Sequence, residues 1–193
     1  MTCPYKKQAL SRRVEPWLHH DSQTNDAPGI YAERTNMEDR GRLPDRKIPR
    51  LKGYDYSTPN YYFVTMCCHR GRELFGPVGE TTAFRKIALR GLRDLHLHFP
   101  NAKVDKCVVM PNHVHCILIL EGQGPDLSTI VGQYKSAVSR EIRKHAGDIT
   151  VWQRSFYDEV IRSEESYQNL WGYIHTNPQN WHSDEFFCPA LEP

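Results

Sequence analysis

The sequence predicts an α+β fold, a four-stranded antiparallel sheet with two helices on one face, and three observations lead there. Short runs rich in β-branched and aromatic residues recur between longer stretches whose apolar residues repeat every three or four positions. Two of those runs are separated only by a Pro-Asn break, as in a tight hairpin. The resulting order, β-α-β-β-α-β-α, suits an antiparallel sheet of the split β-α-β kind, with its first two helices together and its other face free for chemistry. At 193 residues and 39% hydrophobic content the chain can build one domain with a core, plus additional tail.

Tyr61 to Cys68 is the first strand, and Thr81 to about His98 an amphipathic helix with Phe84, Ile87, Ala88, Leu92 and Leu95 on its stripe and Pro100 as its stop. Lys103 to Met110 is the second strand, and Val114 to Leu120 returns after Pro111-Asn112 as the third. Asp126 is placed to N-cap a second helix whose stripe runs Leu127, Ile130, Val131, Tyr134, Val138 and Ile142, and Gly147 to end it. The opposite helix face holds Lys135, Arg140, Arg143 and Lys144. Asp158 to Arg162 is a short fourth strand, and Glu164 to about Thr176 a last helix bounded by Pro178, which should pull Asn177 away from helical geometry.

Before Tyr54 no apolar period is sustained, and Arg40 to Lys52 carries six basic residues against one acid, Asp45. Residues 1–54 are therefore expected to be a poorly ordered basic arm, 55–181 the folded domain and 182–193 a C-terminal tail. Lys+Arg 25 against Asp+Glu 23 leaves a formal net charge of +2, so overall charge does not announce a nucleic-acid partner. No secretory leader is recognised and no apolar run approaches the ~20 residues of a membrane span. The expectation is a soluble cytoplasmic protein, not membrane-bound, with its six cysteines reduced. Cys67, Cys68 and His69, or Cys107 and Cys116, form no C-x-x-C pair, and no structural zinc is expected.

His113 and His115 stand two apart at a strand start, where a period of 2 turns both imidazoles to one face and Val114 to the other. One divalent ion could be reached by both, with oxygen donors completing the shell; the alternative is a pair of histidines satisfied within the sheet. On the last helix Tyr167, Leu170, Trp171 and Ile174 form an apolar stripe, and Tyr173 and Asn177 share one edge of it. That edge can present a phenol and an amide oxygen to the histidine face, or simply leave an amphipathic aromatic with its hydroxyl in water. Lys135, Arg140, Arg143, Lys144, Arg154 and Arg162 are candidate phosphate contacts or solvated charges. Tyr134 and Tyr157 suit packing, and Trp152 suits either stacking on a base or filling the core.

Several segments resemble the HUH (histidine, hydrophobic, histidine) single-tyrosine transposases, most closely the REP-associated tyrosine transposases. They are Ile48 to Tyr56 leading into Tyr61 to Thr65, Val108 to His115, Lys135 to Val138, Val151 to Tyr157, Val160 to Arg162 and Tyr173 to Pro178. They run in family order over about Ile48 to Trp181, while the residues before Ile48 have no counterpart. The resemblance implies a ferredoxin-like catalytic domain, usually a homodimer, that nicks single-stranded DNA beside hairpins with a divalent metal (Mg or Mn) and a transient 5′-phosphotyrosine. By position it makes His113 and His115 metal ligands, Tyr173 the nucleophile and Asn177 a helper at the metal. Two other functions fit the residues less fully: a non-catalytic binder of single-stranded nucleic acid, using Tyr61, Tyr62 and Phe63, and a metal-dependent hydrolase that needs no tyrosine.

Overall fold

The computed structural model describes residue 51 and residues 53–187. The basic arm expected over 1–54 lies outside the described residues apart from Leu51, Gly53 and Tyr54, as does 188–193 of the expected tail. Four strands, β1 (Tyr61–Cys67), β2 (Ala102–Val109), β3 (His113–Leu120) and β4 (Tyr157–Ile161), pair antiparallel in the order β2-β3-β1-β4. The helices are α1 (Ala83–Arg93), α2 (Leu95–His98), α3 (Leu127–Ala146) and α4 (Glu164–Thr176). The α+β architecture expected from the sequence is therefore present, with one helix in two pieces. The stretch expected to be continuous to His98 breaks at Asp94, whose φ −90°, ψ 3° is not helical and whose carboxylate is engaged by the Arg93 guanidinium beside it.

Local chemistry sets the helix starts. Thr82, Asp126 and Ser163 each accept, through a side-chain oxygen, the N–H three residues on, the kind of cap that contributes about 1 kcal/mol. Gly147 closes α3 at φ +73°, a conformation that L side chains rarely adopt.

Alternate residues of β1 and β3, among them Tyr62, Val64, Met66, Val114, Cys116 and Leu118, face a core shared with Ile87, Ala88 and Leu92 of α1 and Ile130, Tyr134 and Val138 of α3. Gly91 lets the helices close: a Cβ there would lie 3.0 Å from the Tyr134 ring, whose hydroxyl donates to the Ala88 carbonyl at 3.1 Å. Trp152 belongs to this core, donating its indole N–H to the Lys135 carbonyl.

The opposite sheet face is not free, contrary to expectation. All seven residues of β1 are buried, so the strand is covered from both sides. The cover is α4, which buries Tyr167 and Ile174. A register shift between Val104 and Lys106 sets Asp105 out of the ladder, and its carboxylate accepts the Tyr167 hydroxyl at 2.6 Å, tying α4 to β2. The site lies in the cleft between this helix and the sheet.

Candidate functional site

β3 aims the two histidines. In the antiparallel register His115 stands opposite Thr65 of β1 and His113 opposite Cys67, so the period of 2 brings both imidazoles to the α4 face with centroids 4.4 Å apart. Both are buried, and the ring of Phe63 stacks on His115 at 5.3 Å. Each imidazole has a partner on Nδ1. His113 meets the Asn112 amide oxygen at 2.8 Å and His115 the Thr65 hydroxyl at 2.7 Å. Nε2 of His113, in contrast, is buried and has no hydrogen-bond partner among the described residues. Burial depresses the His113 pKa to about 3. It drives that of His115 well below the ordinary value as well, assisted by His113 and opposed by Asp184. Both rings are thus neutral near pH 7, the form in which imidazole donates a lone pair to a metal.

From α4, Tyr173 reaches the same point while 38% exposed. Its hydroxyl lies 3.4 Å from His115 Nε2 and donates to Asp184 Oδ2 at 3.3 Å, both long contacts. Asn177, one turn on, is buried, and its amide Nδ2 donates to the same Asp184 oxygen at 2.5 Å, while its Oδ1 is left without a partner among the described residues. The expectation that Pro178 would push Asn177 out of helical geometry fails: its φ −52°, ψ −42° are helical and its N–H donates to the Tyr173 carbonyl. The amide's bond to Asp184 and the continued helical ladder offset the clash that proline imposes on its predecessor.

Asp184 is the residue that sequence reasoning missed. It lies in the segment expected to be tail, just after a short 3-10 turn at Trp181–Ser183 that packs against the site with Trp181 and Phe186 buried. Its Oδ1 accepts the Phe186 N–H at 2.8 Å, and the Phe186 ring covers His113 at 4.7 Å and His115 at 5.9 Å. One ligand atom each from His113, His115 and Asp184 lie within 4.8 Å of one another. Two neutral nitrogens, a carboxylate and an orphaned amide oxygen suit a divalent cation: His113 Nε2 and Asn177 Oδ1 are the atoms whose burial a cation would compensate.

The proposed phosphate contacts divide. Lys135 is buried, and its ammonium donates to the Gln153 and Ser155 carbonyls at 2.7 and 2.8 Å, so it holds a loop instead of facing solvent. Burial lowers its pKa to about 8. Arg140 and Lys144 line a groove of about 620 Å³ between α1 and α3, on the far side of the sheet from the histidines, and Arg143 is held by the Ile149 carbonyl. Arg154 and Arg162, flanking β4, are exposed. Tyr134 is core, and Tyr157 packs beside Phe186 at 6.0 Å.

A family model described as transposase, IS200 like, matches residues 59–177, a stretch that holds His113, His115, Tyr173 and Asn177 but not Asp184. Among curated proteins, the chain is 29% identical over 167 residues to an uncharacterized protein of Haemophilus influenzae, covering 74% of this chain and 93% of that one. It is 29% identical over 76 residues to the REP-associated tyrosine transposase of Escherichia coli, covering 39% of this chain and 44% of that relative, less than half its length. Among solved structures, that of a REP-associated tyrosine transposase bound to a REP hairpin superposes with a TM-score of 0.54 at 22% identity, over 68% of this chain and 74% of that one, a likeness of fold.

Proposed function

The chain belongs to the IS200-like transposase family, and from that premise we propose that it is a metal-dependent single-strand DNA endonuclease that cuts and rejoins DNA beside hairpins through a 5′-phosphotyrosine. The observation that carries this reading is the meeting of Tyr173 with the buried donor cluster. A half-exposed phenol, open to a DNA strand, touches His115 Nε2 and Asp184 at a point where His113 Nε2 and Asn177 Oδ1 lack partners among the described residues. Packing alone gives no reason to assemble these groups.

A divalent cation, magnesium or manganese, held by His113, His115, Asp184 and Asn177, would neutralise charge on the scissile phosphate. The chain's own residues do the rest. Tyr173 Oη forms a bond to phosphorus as the bond to the 3′ oxygen breaks, leaving a phosphotyrosine on the 5′ side and a free 3′-hydroxyl on the other. Asp184 Oδ2, which already accepts the phenolic hydrogen, is the acceptor at hand for its proton, and the departing 3′ oxygen takes up a proton from solvent to become the hydroxyl. Because the phosphotyrosine keeps the energy of the broken ester, the 3′-hydroxyl of a second strand can reverse the step and join, which hydrolysis cannot do. Arg154 and Arg162, both exposed, are the candidates to hold the strand's phosphates, and a homodimer is the expected acting unit.

The deciding experiment incubates the protein with hairpin-bearing single-stranded DNA and Mg²⁺ or Mn²⁺ and looks for a covalent adduct on denaturing gels. Wild type should form it, and Tyr173→Phe, which keeps the ring, should fold, bind DNA and form none. Metal-dependent nicking by Tyr173→Phe at the wild-type rate would turn the reading into that of a hydrolase.

A further inference from the structure

Asn112 is buried to 1% exposure between the histidine strand and the C-terminal turn, and every polar atom of its side chain is used. Its Nδ2 donates to the Phe186 carbonyl at 2.7 Å and lies 3.4 Å from the Gly71 carbonyl. Carbonyls only accept, so the amide cannot be turned over: an oxygen in the Nδ2 position would face two other oxygens. Oδ1 must therefore be the atom that meets His113 Nδ1 at 2.8 Å, and an amide oxygen also only accepts. The hydrogen of that bond has to come from the imidazole, which fixes the Nδ1–H tautomer and leaves Nε2 as the lone pair. Nε2 is the buried nitrogen without a partner. His115 is under no such constraint from Thr65, whose hydroxyl can donate or accept.

The same amide reaches the other half of the site. Phe186, whose carbonyl Asn112 holds, donates its N–H to Asp184 Oδ1, and Asp184 Oδ2 takes the hydrogen bonds of Asn177 and Tyr173. A chain of bonds thus runs from His113 through Asn112, Phe186 and Asp184 to the α4 residues. Asp184 and Phe186 lie beyond the stretch matched by the family, residues 59–177, so docking of this turn is a property to be read from this chain itself.

We propose that Asn112 is the positioning residue of the site: it fixes the tautomer that presents His113 Nε2 to a cation and, through its other edge, docks the turn that brings in the Asp184 carboxylate. The proposal deepens the metal reading above and rests on it for its affinity arm. Losing a partner of this kind typically weakens metal binding about 10–100-fold.

Two variants separate the two jobs. Asn112→Asp keeps an oxygen for His113 but replaces the donor to the Phe186 carbonyl with a second acceptor; Asn112→Ala removes both. In full-length metal-free protein, long-range ¹H–¹⁵N spectra of the imidazoles report the tautomer and amide exchange at Phe186 reports docking, while Co²⁺ titration followed by visible absorption reports affinity. Asn112→Asp should keep the His113 tautomer yet speed exchange at Phe186 and weaken Co²⁺ binding; Asn112→Ala should lose the tautomer preference as well. Retention in Asn112→Ala of the wild-type tautomer and Phe186 exchange, or of Co²⁺ affinity within twofold of a wild type that binds the ion, overturns the proposal. Absence of Co²⁺ binding by wild type overturns the metal reading instead, and the two metal-free readouts still decide the role of Asn112.

Discussion

Lowering the pH tests the burial of the histidine pair without any substitution. The unfolded chain takes up a proton on His113 near the ordinary value of 6.5, whereas the folded chain resists until about pH 3 because the ring is buried. The folded pKa is depressed, so between those values the unfolded state holds more protons and folding stability falls as pH falls. The contribution is fully present above about 6.5. At pH 5 the unfolded ring is about 97% protonated and the folded one about 1%, which makes the loss relative to pH 7 about 2 kcal/mol for His113 alone. His115, shifted in the same direction by burial and by its neighbour, should add to the loss. Urea unfolding of metal-free protein at pH 7, 6 and 5 measures it, with His113→Gln and His115→Gln as controls in which the slope should shrink. Equal stability at pH 7 and pH 5 would mean that water reaches the imidazoles and that the turn carrying Phe186 does not cover them.

Three further outcomes follow from the geometry. Lys135→Met keeps the aliphatic stem but strips the Gln153 and Ser155 carbonyls, in a partly buried setting, of their donor, so it should cost about 1 kcal/mol in urea unfolding while leaving DNA affinity and its salt dependence unchanged; a stable variant with weakened DNA binding would return Lys135 to the phosphates. Mn²⁺ at a hundred times its dissociation constant should stabilise the folded protein by about 2.7 kcal/mol, seen as a raised Tm, with the gain much reduced in Asp184→Asn; equal gains in both proteins would remove Asp184 from the ligand set. Fluorescence anisotropy across a salt series should show steep weakening of single-stranded DNA binding, and Arg154→Ala or Arg162→Ala should each flatten the log–log slope by roughly 0.7; a flat wild-type response would sink the electrostatic account.

Much of the fold was legible because its signals are local. Asp126 and Gly147 bound α3 as their cap chemistry dictates, and the Pro111-Asn112 break sets a hairpin in which Met110 N–H returns to the His113 carbonyl. What periodicity did not reveal was the second covered face. The run Tyr61 to Cys67 carries no charged residue and only one hydroxyl-bearing β-branched side chain, Thr65, and such a run reads equally as an edge strand rich in aromatics or as a strand buried on both sides. Likewise, Lys135 differs from Arg140 by nothing local: only the arrival of Gln153 and Ser155, many residues downstream, makes it a buried clasp.

The site divides along the same line. The H-x-H spacing and the Tyr173–Asn177 spacing each fix a shared face within one element, and the fold had only to lay α4 over β3 to unite them. Asp184 carries no such periodic mark, because it stands in a turn after the last helix and reaches the histidines through contacts that sequence spacing does not encode. One signal was nevertheless available. Two histidines and an amide are neutral donors, and a site that must hold a dication against phosphate calls for an anionic ligand; the apolar residues Trp181, Phe186 and Phe187 after Pro178 are too many for a solvated tail. A short aromatic turn bracketing two adjacent carboxylates, Asp184 and Glu185, in a chain whose proposed metal set otherwise lacks charge, is therefore a place to look for the missing ligand. Here Phe186 does a second job: its ring covers His113 and His115, and the burial it contributes to disfavours protonation of both rings, leaving the neutral form that the proposed cation would need.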